Sequence, residues 1–125
     1  MIKIKDWMSK KVETVTPNSN VLDCVKAMDK HNIGCVVVVE GRKPIGIITE
    51  RDILRKVVAK SKDPSQMNTK DFMTKNPKLL MQDATLLEVT RLMSKYEFRR
   101  LIIVDEEGNL AGIVTSKDLI KLVSA

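Results

Sequence analysis

The chain has 125 residues, 43% hydrophobic and 30% charged, with a formal charge of +6 and only 3% aromatic residues. This is too apolar for a disordered chain and too polar for a membrane protein. Its longest apolar run, 33–39, is far short of the roughly 20 residues needed to cross a bilayer. The surplus of Lys and Arg favours anionic ligands or partners.

The opening Met1-Ile2-Lys3-Ile4-Lys5-Asp6 has no apolar signal core, so the chain is expected to stay in the cytoplasm. Residues 14–16 read as a short strand. Val21, Leu22, Val25 and Met28 then recur at helical spacing. Cys24 and Cys35 form no CxxC pair, and with the lone His31 they cannot complete a zinc site, so they read as small buried hydrophobes and no metal is expected. The run 36–39 is what a strand buried on both faces requires. A turn over 40–44 leads to a second strand at 45–48, and Ile53, Leu54, Val57 and Val58 restore helical spacing after Thr49. A polar stretch around Asp63-Pro64 interrupts the pattern.

The series then begins again. Residues 79–81 read as a strand, Leu86, Leu87, Thr90 and Met93 as a helix face, 101–104 and 110–114 as a hairpin, and Leu119, Ile120 and Val123 as a last helix. A shift of about 65 residues lays Lys5-Asp6-Trp7-Met8 on Lys70-Asp71-Phe72-Met73. One residue more lays Gly46-Ile47-Ile48-Thr49-Glu50-Arg51-Asp52 on Gly112-Ile113-Val114-Thr115-Ser116-Lys117-Asp118. The expectation is an α/β (α+β) fold of two pseudo-twofold-related β-α-β-β-α units packed through their sheets. The first unit is 1–62, the linker 63–69 and the second unit 70–125. Each half is near the lower size limit for independent stability, so the two are expected to form one compact module.

Thr49 with Asp52, and Thr115 with Asp118, stand where a strand becomes a helix. Thr-x-x-Asp is a capping-box pattern, and Asn20-x-x-Asp23 and Thr85-x-x-Glu88 repeat its spacing at the other two helices. Capping therefore accounts for the spacing. A second reading remains open beside it, because a helix start suits a phosphate and a carboxylate one turn on suits the two hydroxyls of a ribose. Arg99 and Arg100 favour that reading, since adjacent strand residues alternate sides and one guanidinium is expected to face the cleft between the copies. The first copy has Gly34 and Cys35 there.

Met8, Thr14, Val15 and Pro17, followed by a helix, an aliphatic strand and a Gly-h-h-Thr-x-x-Asp that recurs in the second copy, resemble a tandem pair of CBS domains, the modules named for cystathionine β-synthase. The resemblance covers essentially the whole chain. It implies a Bateman module whose clefts bind AMP, ADP, ATP or S-adenosylmethionine and which pairs into a homodimer. Carried over by residue, Asp52 and Asp118 resemble the ribose-binding aspartates, and Thr49, Thr115 and Ser116 the hydroxyls on the phosphate side. Arg100, beside Arg99, resembles the phosphate-neutralising base. Val15, Ile33, Gly34, Ile47, Leu80, Phe98 and Ile113 resemble the walls and strand edges around adenine, although ordinary core packing explains the apolar ones equally well. Two departures stand out: Leu79-Leu80 replaces Thr14-Val15, and Glu50 stands where the second copy has Ser116.

The function expected is a regulatory module that senses an adenine nucleotide and passes the signal to an effector protein. No catalytic constellation is visible, so no turnover and no catalytic cofactor are expected. Two alternatives stay open: a basic nucleic-acid-binding protein, and a structural dimerisation module that holds no ligand.

Overall fold

The structure, a computed structural model, describes residues 2–96 and 99–124, without the side chains of 122–124. Phe98 and the side chain of Val123, both expected on apolar faces, lie outside the described residues. The chain forms two compact units whose boundaries cross those of the repeat: one is Glu13–Pro77, and the other joins Met1–Val12 to Lys78–Ala125. The two Lys-Asp-aromatic-Met segments have thus changed places between the repeats. Backbone pairing holds them there. Ser9 and Ile113 exchange hydrogen bonds of 2.9 and 3.0 Å, and Thr74 and Lys75 pair with Ile47 and Gly46.

The Glu13–Pro77 unit has a four-stranded sheet in the order β1 (Thr14–Val15), β2 (Cys35–Glu40), β3 (Lys43–Thr49) and β4 (Thr74–Lys75). β1 runs parallel to β2, with α1 (Val21–His31) as the crossover, and the other pairs are antiparallel. α1 opens on a capping box between Asn20 and Asp23 and closes at Asn32, which is left-handed at φ 51°. Its Val21, Cys24 and Met28 pack on Val36, Val38 and Ile48. The helix expected after Thr49 begins as α2 (Glu50–Ile53) but widens into a π turn at Leu54–Val58. α3 (Thr69–Phe72) follows a 3-10 turn at Pro64–Gln66. Thr69, placed by the sequence at the end of the linker, is fully buried with its hydroxyl 3.5 Å from Cys24 Sγ.

The other unit has the sheet order β5 (Leu79–Met81), β6 (Arg100–Val104) and β7 (Leu110–Thr115), with α4 (Leu86–Tyr96) and α5 (Ser116–Ser124). Ile4, Val89, Met93, Leu101, Ile103 and Val114 form its core. The face expected of α4 holds at Met93, which is buried, and at Leu86, half-buried, and is corrected at Leu87. Leu87 is 56% exposed, while Val89 is fully buried, so the apolar stripe runs one position away from the Leu87–Thr90 row. In both sheets the central strand also buries a residue outside the core cluster, Val37 in β2 and Ile102 in β6. This is why their strands read as unbroken apolar runs. Among the described residues no helix is long and apolar enough to cross a membrane.

The glycine of each Gly-h-h-Thr has a steric role. A Cβ on Gly112 would lie 2.7 Å from both Met8 Sδ and the Ser9 carbonyl oxygen, and one on Gly46 would collide with Met73 Sδ. The exchanged methionine of each Lys-Asp-aromatic-Met segment therefore sits against the strand that leads to Thr-x-x-Asp.

Candidate functional site

Each unit delivers its Thr-x-x-Asp to the end of a hairpin. Register places Cys35 opposite Thr49 in one and Arg100 opposite Thr115 in the other. Thr49 is the N-cap of α2, in extended backbone at φ −110° and ψ 159°. Its amide and hydroxyl donate to Asp52 Oδ2 at 3.1 and 3.0 Å, and the Asp52 amide donates back to Thr49 Oγ1 at 3.2 Å. Thr115 and Asp118 repeat the arrangement at 2.9, 3.2 and 3.4 Å. Both ends are capping boxes in which the threonine hydroxyl serves the carboxylate as well as the backbone.

These bonds limit what the helix starts can offer. The amides of Glu50 and Ser116 donate to the carbonyls of Gly34 and Arg99 at 2.9 and 3.0 Å. The amides of Asp52 and Asp118 are taken by the threonines, and each threonine proton is taken by its carboxylate. Of the first three amides, those of Arg51 and Lys117 are left without such a partner among the described residues. Thr49 and Thr115 act first as caps, so beside those two amides the groups that could meet an anion are side chains, among them Ser116 and Arg99, both exposed, and Arg100, half-buried at the first residue of β6. Among the described residues neither arginine has an ion-pair partner within 4.0 Å.

Each carboxylate keeps Oδ1 outside the capping box. Asp52 Oδ1 lies 3.8 Å from Lys56 Nζ. The second repeat has Leu122 in place of Lys56, and among the described residues Asp118 has no ion-pair partner. The first repeat instead carries Glu50, exposed at the first helical position. Of the apolar candidates, Val15 and Ile33 pack against the core of their own unit, and Leu80 against the other core. Ile47 and Ile113 pair with Val37 and Ile102, so they share the faces opposite those cores. Ile113 is 7% exposed and Ile47 half-buried. Sequence reasoning passed over Lys56, although its i,i+4 spacing from Asp52 was there to be read.

A family model of the CBS domain matches residues 4–59 and again 70–125. The protein MK0525 of Methanopyrus kandleri is 36% identical over 122 residues, which are 97% of this chain and 62% of that one. The chain thus spans less than two thirds of that relative. The CBS domain-containing protein YhcV of Bacillus subtilis is 35% identical over 95% of this chain and 84% of its own length. Among solved structures, the CBS domain pair of protein MJ0100, in complex with 5-methylthioadenosine and S-adenosyl-L-methionine, superimposes with a TM-score of 0.86 at 32% identity. That match covers 99% of this chain and 97% of the other.

Proposed function

The chain belongs to the CBS-domain family as a tandem pair, and from that premise we propose that it is a regulatory module that binds adenosine-bearing metabolites without transforming them. The observation that carries the reading is the spare oxygen of each capping aspartate. Oδ2 of Asp52 and of Asp118 is held by the threonine, which fixes the carboxylate and leaves Oδ1 to accept from ribose hydroxyls. The likeness to a CBS pair bound to methylthioadenosine and S-adenosylmethionine supports an adenosyl ligand.

The two ends select differently. Arg100, across the hairpin from Thr115 and next to Arg99 and Ser116, gives the second repeat the charge for a phosphorylated ligand such as AMP, ADP or ATP. The first repeat has Gly34, Cys35 and Glu50 at the matching positions and suits an uncharged or cationic adenosyl group such as S-adenosylmethionine. Binding biases the arrangement of the module, and an effector protein reads the change. Leu54, Val58 and Ile120, all more than 60% exposed on the closing helices, support self-association into a homodimer. The buried Cys24 thiol suits a reducing compartment such as the cytoplasm.

Calorimetry on the purified chain with AMP, ADP, ATP, S-adenosylmethionine and methylthioadenosine tests the reading. The expected result is saturable binding of a phosphorylated and of an unphosphorylated adenosyl ligand that do not displace each other. Absence of heat and of any melting shift with all five ligands contradicts it.

A further inference from the structure

The Glu13–Pro77 unit holds a cleft of about 460 Å³ whose lining includes Lys56, Lys60, Lys62, Asn68, Asp71 and Phe72. Its walls follow from the way α2 ends. In the π turn the Ala59 amide donates to the Leu54 carbonyl at 2.9 Å, an insertion of the kind found at functional positions. Lys56 and Lys60 are four residues apart on this stretch. The helix closes on a Schellman motif: Ser61 is left-handed at φ 52°, its amide donates to Val58 at 3.1 Å, and the Lys62 amide reaches back to Val57 at 3.0 Å. That reversal brings Lys62 to the same cleft as the two helix lysines. The lining thus carries three lysines and one acid, Asp71, together with Phe72, which is 7% exposed.

Lys56 links this cleft to the first Thr-x-x-Asp. Its Nζ is 5.5 Å from the centroid of the Phe72 ring and 3.8 Å from Asp52 Oδ1. No residue assigned above to the adenosyl ligand lines the cleft. We infer that the cleft is a second, separate anion site for a small phosphorylated metabolite, its phosphates on the three lysines and its apolar part over Phe72. The volume is within the roughly 300–1,000 Å³ of small-molecule sites. An anion that draws on Lys56 takes that cation from beside Asp52, so filling the cleft changes the charge around Asp52 Oδ1, the oxygen offered to the ribose.

The test uses inorganic tripolyphosphate and the full chain at about 0.15 M salt, where surface charges are screened beyond roughly 8 Å. Amide shifts on titration are expected at Gln66, Asn68 and Asp71. The affinity should fall about tenfold or more in Lys60→Glu/Lys62→Glu, and by less in Lys60→Gln/Lys62→Gln, with the melting temperature unchanged in the Gln pair. Asp118→Asn should leave tripolyphosphate binding intact, so failure here and failure of the adenosyl reading are separately visible. Absence of shifts at those amides, or equal affinity in wild type and both lysine pairs, overturns the inference. Lysine-dependent binding of a single-stranded oligonucleotide without binding of tripolyphosphate also overturns it, in favour of a nucleic-acid surface.

Discussion

The two Thr-x-x-Asp ends share a backbone and differ in charge. Capping distances at Thr49–Asp52 and Thr115–Asp118 agree within a few tenths of an ångström, because both are set by the same unsatisfied amides of a first helical turn. Around that constant frame, Cys35 faces Arg100 in the alignment of the repeats, Glu50 faces Ser116 and Lys56 faces Leu122. The comparison separates two tasks. Backbone hydrogen bonding holds an aspartate in place in either repeat, and a few substituted side chains decide what that aspartate is offered.

The sharpest challenge to this likeness of frames comes from the glycines. Gly112→Ala should destabilise by up to about 3 kcal/mol in urea unfolding, because the Ser9 carbonyl cannot move aside without breaking its bond to Ile113. Gly46→Ala should cost less, since the obstacle is the end of the flexible Met73 side chain, and equal losses would break the argument. Arg100→Ala should weaken AMP by about 2 kcal/mol while leaving methylthioadenosine unchanged in calorimetry, and parallel losses would remove the phosphate assignment. Thr49→Ala and Thr115→Ala should each cost about 1 kcal/mol of stability, and a clear inequality would show that the caps are not equivalent. The smallest effect concerns Cys24, where the other repeat has Val89. Burial pushes the Cys24 thiol up, with the Thr69 hydrogen bond partly opposing. A raised folded value means that this contribution is whole below the ordinary thiol value of about 8.5 and is lost as pH rises through the folded one. Cys24→Val should flatten the decline of the urea midpoint between pH 7 and pH 10, and an unchanged slope would contradict this.

Much of the fold was legible because it rests on local rules. The doubled strand, helix and hairpin pattern, the strands buried on both faces, and the four caps all follow from periodicity and short spacing. The exchange of Lys5–Met8 and Lys70–Met73 between the repeats was not legible. Their likeness marked them as a repeated element, but strand partners far apart in sequence leave no local signal. Nor was the π turn, since Leu54 to Val58 keep the apolar spacing of an ordinary helix. At the candidate site Thr49, Asp52, Thr115, Ser116 and Asp118 stand at the strand-to-helix turns, whereas Val15, Ile33 and Leu80 pack against the cores and Phe98 lies outside the described residues. The threonine protons proved committed to the carboxylates, a result of hydroxyl geometry that spacing does not encode.

The central claim is that a capped aspartate presents one spare oxygen to a ribose, and its most direct test is calorimetric titration of methylthioadenosine and AMP into wild type, Asp52→Asn and Asp118→Asn. The account predicts that Asp118→Asn loses AMP, Asp52→Asn loses methylthioadenosine, and each keeps the other ligand. Affinities for both ligands that match wild type in the two variants would contradict it.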